Sequence, residues 1–243
     1  MTKMTTVKEA MFQGELTLSK RIIERFIESC SHDLKSPLCS IEGLLTIASK
    51  YHVVDEVKEC HTMISDCVGK MKQMLISIEG YTVHLQRELE QNEILAENLI
   101  DKILEENANE IQASKVEVKV DVNQPIKWIS DEYCSYTILK NLITNAILFS
   151  DHAKSAREVS IDIAVTKAFV AVRITDNGIG IPAVQQSKLF EPFHRTSNLK
   201  SGLGLGLFLV KGMINKLCAN IFISSQAHIG TTVSLLIPNK ISE

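Results

Sequence analysis

Two glycine-rich stretches hold the residues of this 243-residue chain best suited to chemistry, Ile174-Thr-Asp-Asn-Gly-Ile-Gly-Ile-Pro182 and Lys200-Ser-Gly-Leu-Gly-Leu-Gly-Leu-Phe-Leu-Val210. Of eleven glycines, five fall at 178, 180, 202, 204 and 206, as expected where backbone turns sharply and lies close against something. The alternation Val170, Val172, Ile174 predicts a strand ending at Asp176, which places that carboxylate at the mouth of the first loop. Gly202, Gly204 and Gly206 open an apolar run, Leu207, Leu209, Val210 and Met213, at helical spacing. Amides freed at a helix N-terminus form an anion site that the helix dipole favours. A carboxylate that accepts from an exocyclic amine, followed by a glycine-lined phosphate cradle, suits an adenine nucleotide. One Gly-x-Gly alone reads as a turn; two clusters, each at an element boundary, read as a site.

A second reactive group is His32. From about Leu16 to Lys50 the residues Ile23, Ile27, Cys30, Leu34, Leu38, Ile41 and Leu45 recur at threes and fours, one stripe along a helix. His32 lies two residues from both Cys30 and Leu34, so at ~100° per residue it points away from that stripe. Asp33 can accept from one imidazole nitrogen and leave the other the better nucleophile. Ser36 falls on the same face as His32, and Pro37 removes a backbone donor and bends the helix just beyond. A third constellation sits on a helix capped by Asp131 and running to about Ser150. There Ile138, Leu142 and Ala146 form the core face, while Asn141 and Asn145 lie one turn apart on another. Asparagine forms helix poorly, so the pair asks for a reason, and a hard cation bridging phosphates takes amide oxygens.

The elements that must position these groups are legible in outline. A second stripe, Val54, Val57, His61, Ile64, Val68, Met71, Leu75 and Ile78, is heptad-like, with His61 expected as a partly buried polar residue on the seam. Tyr51-His52-Val53 leaves room for a short hairpin connection. Two such helices cannot cover each other's stripes alone, so two chains are expected to form a four-helix bundle. Residues 79–93 break the heptad at Gly80 and read as a linker plus a first strand, which sets the domains at 1–80 and 81–243. Ile94 to Ser114 is expected as a helix and Val116–Val122 as a strand with one wet face. Strands follow at Val159–Thr166, Phe169–Thr175, Ile221–Ser225 and Thr232–Ile237, with Thr196–Ser201 a mobile lid.

With 45% hydrophobic and 23% charged residues the chain reads as globular, and a net charge of −3 gives no electrostatic argument for nucleic acid. No apolar run approaches the ~20 residues of a membrane span, and the N-terminus lacks a signal-peptide core. The six cysteines form no C-x-x-C pair, as expected of reduced thiols in a cytoplasmic protein.

The quoted motifs resemble those of the Bergerat-type ATPases and, within them, the sensor histidine kinases, over roughly residues 20 to 238. Asp-Asn-Gly-Ile-Gly-Ile at 176–181 and Gly-Leu-Gly-Leu-Gly-Leu at 202–207 resemble that family's two glycine boxes. Ser31-His-Asp-Leu-Lys-Ser-Pro-Leu38 resembles its phosphoacceptor box, Asn141-Leu-Ile-Thr-Asn-Ala-Ile-Leu-Phe149 its asparagine box, and Lys188-Leu-Phe-Glu-Pro-Phe-His-Arg195 its phenylalanine box. The resemblance implies an N-terminal helical hairpin forming a dimeric four-helix bundle, then a two-layer α/β sandwich of the histidine-kinase ATPase type. It implies that His32 takes the γ-phosphoryl group of ATP and passes it to an aspartate in the receiver domain of a response regulator. Asp33 is then the general base, and Ser36 matches the position that orients water during dephosphorylation. ATP is implied at Asn141, Asn145, Asp176, Gly178, Gly180, Arg195, Lys200, Gly202, Gly204, Gly206 and Thr231, with Mg²⁺ on Asn145. Two positions depart from the pattern: Leu148 stands where the family commonly has lysine, with Lys200 and Arg195 the candidate substitutes, and His228 stands where a second glycine is often found.

Overall fold

The computed structural model describes residues 34–50, 54–191, 194 and 204–241. The chain divides into two units, residues 1–80 with 201–205, and residues 81–200 with 206–243. In the first, residues 34–48 form helix α1, and α2 follows as Val54–Gln86. Both carry exposed apolar side chains: Leu38, Leu45 and Leu75 are 47%, 53% and 51% accessible. His61 is exposed in the single chain as well. Helix α2 runs through Gly80 instead of ending there. One glycine in a helix interior costs only about 1 kcal/mol relative to alanine, less than the neighbouring turns supply.

The second unit holds β1 (Asn92–Ile94), α3 (Ala96–Glu106), α4 (Ala108–Ser114), β2 (Glu117–Asn123), β3 (Trp128–Ser130) and α5 (Glu132–Leu148). Then come β4 (Glu158–Val165), β5 (Phe169–Asp176), α6 (Ala183–Gln186), α7 (Gly206–Leu217), β6 (Asn220–Gln226) and β7 (Gly230–Pro238). Five strands pair in the order β2-β4-β5-β7-β6, with β2 parallel to β4 and the other pairs antiparallel. The alternation predicted at Val170, Val172 and Ile174 turns those three residues, with Ile161, Ile163, Leu235 and Ile237, into one apolar face. Helices α5 and α7 cover it through Ile138, Leu142, Ile143, Ile147, Val210, Met213 and Ile214. Each such side chain contributes about 1.5–3 kcal/mol on burial.

Two local expectations give way to tertiary constraint. Ile94 ends a short strand that pairs with Trp128 rather than opening a helix, because its neighbours are tied by the Gln124 amide, which accepts from Ala96 N and donates to Ile94 O. The helix expected through Ser114 breaks at the buried Asn107, whose side chain donates to Ile103 O at 2.7 Å and accepts from Thr144 Oγ1 at 2.9 Å. An amide side chain that bonds nearby backbone competes with the helical ladder.

Candidate nucleotide site

The site is built around one face of α5. Asp131 caps its start, accepting from Cys134 N at 2.8 Å, and the sheet and neighbouring helices hold its apolar residues. That leaves Asn141 and Asn145 half-buried one turn apart, with the helix ending at Phe149 a further turn on. Asn141 Nδ2 donates to Thr137 O at 2.8 Å. Its Oδ1 lies beneath Gly206, the first residue of α7, where a Cβ would stand only 2.7 Å away. At the other end, Ile179 N donates to Phe149 O at 3.0 Å, and a Cβ on Gly178 would meet that same carbonyl at 2.3 Å. Gly178 of the first stretch and Gly206 of the second therefore both close on α5, one on its C-cap and one on Asn141, with Asn145 between those positions. The Asn145 side chain bonds no described residue, so its amide oxygen remains available to a cation.

Asp176 ends β5, as its alternation predicts, opposite Thr231 on β7. One carboxylate oxygen, Oδ1, accepts from Gly178 N at 2.8 Å and from Thr231 N at 3.2 Å. The other oxygen accepts nothing from the described residues and remains free for a ligand donor. Burial pushes this carboxyl above its ordinary range, against the pull of the Gly178 and Thr231 amides and the charge of Lys154. Asn177 is structural: its Oδ1 accepts from Glu158 N at 2.9 Å and its Nδ2 donates to Ala156 O at 3.0 Å, pinning the loop to the start of β4.

What the first-stretch glycines lie close against is the chain's own backbone. Gly180 has φ +65°, and a Cβ there would meet Gln226 O at 2.0 Å; Gly230 has φ +148°, and a Cβ there would meet Asp176 O at 2.0 Å. Only glycine accepts both the space and the left-handed conformation. The β6–β7 turn is thus pressed onto the Asp176 loop. Ser225 Oγ joins them, donating to Gly230 O at 3.0 Å, accepting from Ile181 N at 2.8 Å and pairing with Thr231 Oγ1 at 2.9 Å. His228, where a glycine was expected by resemblance, adopts φ +63° itself and donates its N–H to Ile179 O at 2.7 Å.

Of the residues singled out in the sequence, Asn141, Asn145, Asp176, Gly178, Gly180, Gly206 and Thr231 come together in this unit. Gly204 lies two residues before α7. Ser36 is exposed on α1. His32, Asp33, Arg195, Lys200 and Gly202 lie outside the described residues, as do the whole expected lid, Thr196–Ser201, and the Tyr51–Val53 connection. Leu148 is half-buried at the end of α5. Lys154 is the site residue that sequence reasoning missed: its ammonium donates to Asn177 O and Ile229 O. No periodicity or motif marks a lone lysine in the turn after α5.

Residues 130–241 match the family described as histidine kinase-, DNA gyrase B-, and HSP90-like ATPase. A curated relative, the sensor histidine kinase YvrG of Bacillus subtilis, is 27% identical over 88% of this chain and 38% of its own length. The chain spans about half or less of the curated relatives it matches. Among solved structures, the histidine kinase AdeS of Acinetobacter baumannii superposes with TM-score 0.69 at 22% identity, over 86% of this chain and 98% of that one. The histidine kinase ThkA, solved in complex with response regulator protein TrrA, superposes with TM-score 0.65 at 19% identity, over 86% of this chain and 60% of that one.

Proposed function

We infer that the chain is a sensor histidine kinase, on the ATPase family match at residues 130–241 and its histidine-kinase relatives, and from that premise we propose that it phosphorylates its own His32 with ATP. The phosphoryl group then passes to an aspartate of a response regulator. One observation carries the reading. Gly178 and Gly206, one from each glycine stretch, close on α5 at its C-cap and at Asn141, with Asn145 between those positions and the Asp176 carboxylate bonded to Gly178 N.

In that arrangement Asp176 accepts from the adenine amine with its free oxygen, and the amides at the start of α7 face the phosphates. The half-buried Asn145 amide fits a hard cation and is the residue that would hold Mg²⁺. When bound, that ion would supply neutralisation of the charge that builds on the phosphates in phosphoryl transfer. The free imidazole nitrogen of His32 attacks the γ-phosphorus while Asp33 holds the proton on the other nitrogen and then accepts it. The bond to the β–γ bridging oxygen breaks and ADP leaves. Positioning supplies most of the acceleration. Ser36, exposed on α1, is the residue we assign to orienting water when a phosphorylated regulator docks. The uncovered apolar stripes of α1 and α2 support a homodimer joined through a four-helix bundle, with 1–80 as the dimerising and phosphotransfer domain and 81–243 as the ATP-binding domain.

Incubation of the chain with γ-labelled ATP and Mg²⁺ tests this directly. We expect acid-labile, base-stable protein label that is absent from a folded, ATP-binding His32→Gln variant. Wild-type labelling in His32→Gln would sink the phosphoacceptor assignment.

A further inference from the structure

We infer that Lys154 is a positioning residue of the base pocket: its ammonium clamps together the two loops that carry Asp176 and Thr231, and so sets affinity for the adenine base. The inference rests on the reading of Asp176 as the adenine acceptor. Lys154 lies in the turn between α5 and β4, held there by Lys154 N donating to Asp151 O at 3.1 Å and Ala153 N to Asp151 Oδ1 at 2.9 Å. From that anchor its Nζ donates to Asn177 O at 2.5 Å and Ile229 O at 2.9 Å, with Gly178 O at 3.5 Å.

These carbonyls belong to the segments on either side of the acceptor. Asn177 and Gly178 follow Asp176 directly, and Gly178 N is one of its two amide donors. Ile229 precedes Gly230 and Thr231, and Thr231 N is the other donor. One ammonium thus ties both arms that aim the Asp176 carboxylate. An ammonium offers three donors and no acceptor, which suits a site of converging carbonyls. Without it, carbonyls drawn to within a few ångströms of one another lose their common partner, and unmade bonds to partly buried carbonyls favour separation of the loops. Lys154 engages backbone beside the acceptor, so its influence falls on base recognition and not on the phosphates.

The test uses the full chain and measures binding of ATP, ADP and GTP to Lys154→Met, Lys154→Arg and Asp176→Asn. We expect Lys154→Met to weaken ATP and ADP alike by about tenfold, leaving their ratio unchanged while narrowing discrimination against GTP. Lys154→Arg, which keeps the charge and the donors, should restore most of the loss. Hydrogen exchange at Gly178 and Thr231 should accelerate in Lys154→Met without nucleotide. If Lys154→Met unfolds, Lys154→Gln takes its place under the same criteria. A loss confined to ATP overturns the inference and makes Lys154 a phosphate cation. Unchanged ADP affinity in folded Lys154→Met, with Asp176→Asn impaired, overturns the inference and leaves the adenine reading standing. Unchanged affinity in both variants overturns both.

Discussion

A single carboxylate shows how much the site asks of one residue. Asp176 holds two backbone amides with Oδ1 and keeps its other oxygen free, so architecture and recognition are divided between its two atoms. Asp176→Asn separates them. The amide oxygen can still accept from Gly178 and Thr231, whereas the NH₂ group presents donors to the adenine amine. We expect thermal stability near that of the wild type and ATP affinity reduced about ten- to a hundredfold, since an unpaired buried partner costs ~1–3 kcal/mol. Calorimetric titration checks it; retained affinity in the folded variant excludes Asp176 from base recognition. Gly180 answers to a different constraint. Its φ of +65° and the Gln226 carbonyl 2.0 Å from any Cβ leave no room for alanine. Gly180→Ala should lower stability by about 2 kcal/mol or more, measured by urea unfolding, with ATP affinity falling because the Asp176 loop shifts.

At the scale of the element, α5 is held by its start as firmly as by its core. The Asp131 carboxylate, 2% exposed, accepts from Cys134 N at 2.8 Å, from Glu90 N at 2.8 Å and from Arg87 Nη1 at 2.9 Å. Arg87 stacks over Tyr133 at 4.7 Å, and its carbonyl accepts from Lys216 Nζ at 2.9 Å. The segment that follows α2 is thus clasped to the helix bearing the asparagine pair. Burial works against ionisation of Asp131, but the Cys134 and Glu90 amides and the Arg87 guanidinium outweigh it and hold its pKa below the ordinary value. A carboxylate depressed in the fold stabilises it at any pH above its unfolded pKa, and that stability is lost as pH falls through the depressed value. Asp131→Ala should cost about 3–5 kcal/mol at neutral pH, because it strands Arg87 and removes the helix cap. Asp131→Asn should flatten the acid limb of unfolding free energy against pH; an unaltered limb would show that other carboxylates govern it.

The same helix carries the departure at Leu148. That position lies three residues beyond Asn145, ~300° round and so nearly on the same face. A lysine there could lay its stem along the helix and bring its ammonium toward the phosphates. We expect Leu148→Lys to tighten ATP binding with Mg²⁺ present, to act less on adenosine, and to lose effect as salt rises. If Lys200 or Arg195 already supplies that charge, Leu148→Lys does little and Lys200→Ala is the damaging change.

For the whole molecule, the apolar side chains on α1 and α2 set the decisive question. Leu45 and Leu75 are each about half exposed, and neither helix in one chain covers them. The proposed dimer would bury both. Each buried leucine is worth about 1.5–3 kcal/mol, so Leu45→Asp should raise the dimer dissociation constant at least tenfold. ADP affinity should be unaltered, because Leu45 lies in the first unit while Asn141, Asn145, Asp176 and Thr231 lie in the second. Sedimentation of the full chain checks it, and a wild-type monomer at micromolar concentration would refute the four-helix bundle.

Periodicity and glycine spacing, both local properties, were enough to identify the strand ending at Asp176, the helix capped by Asp131 and its asparagine pair, and the start of α7. Each follows from how successive residues alternate or rotate about one axis, and the sequence displays that rotation directly. Tertiary structure alone decided the rest. The short β1–β3 pair exists because Gln124 and Trp128 reach across sequence to Ile94. The break at Asn107 depends on Thr144, thirty-seven positions away. Clustering signalled a close approach at Gly178, but its partner, Phe149 O, and the same need at the isolated Gly230 come from backbone packing that no spacing rule reveals. Lys154 has no pattern around it at all, since its role lies in three carbonyls contributed by two loops far apart in the chain. Contacts between distant segments form only when the sheet brings the ends of β5 and β7 side by side, and that register is a property of the fold.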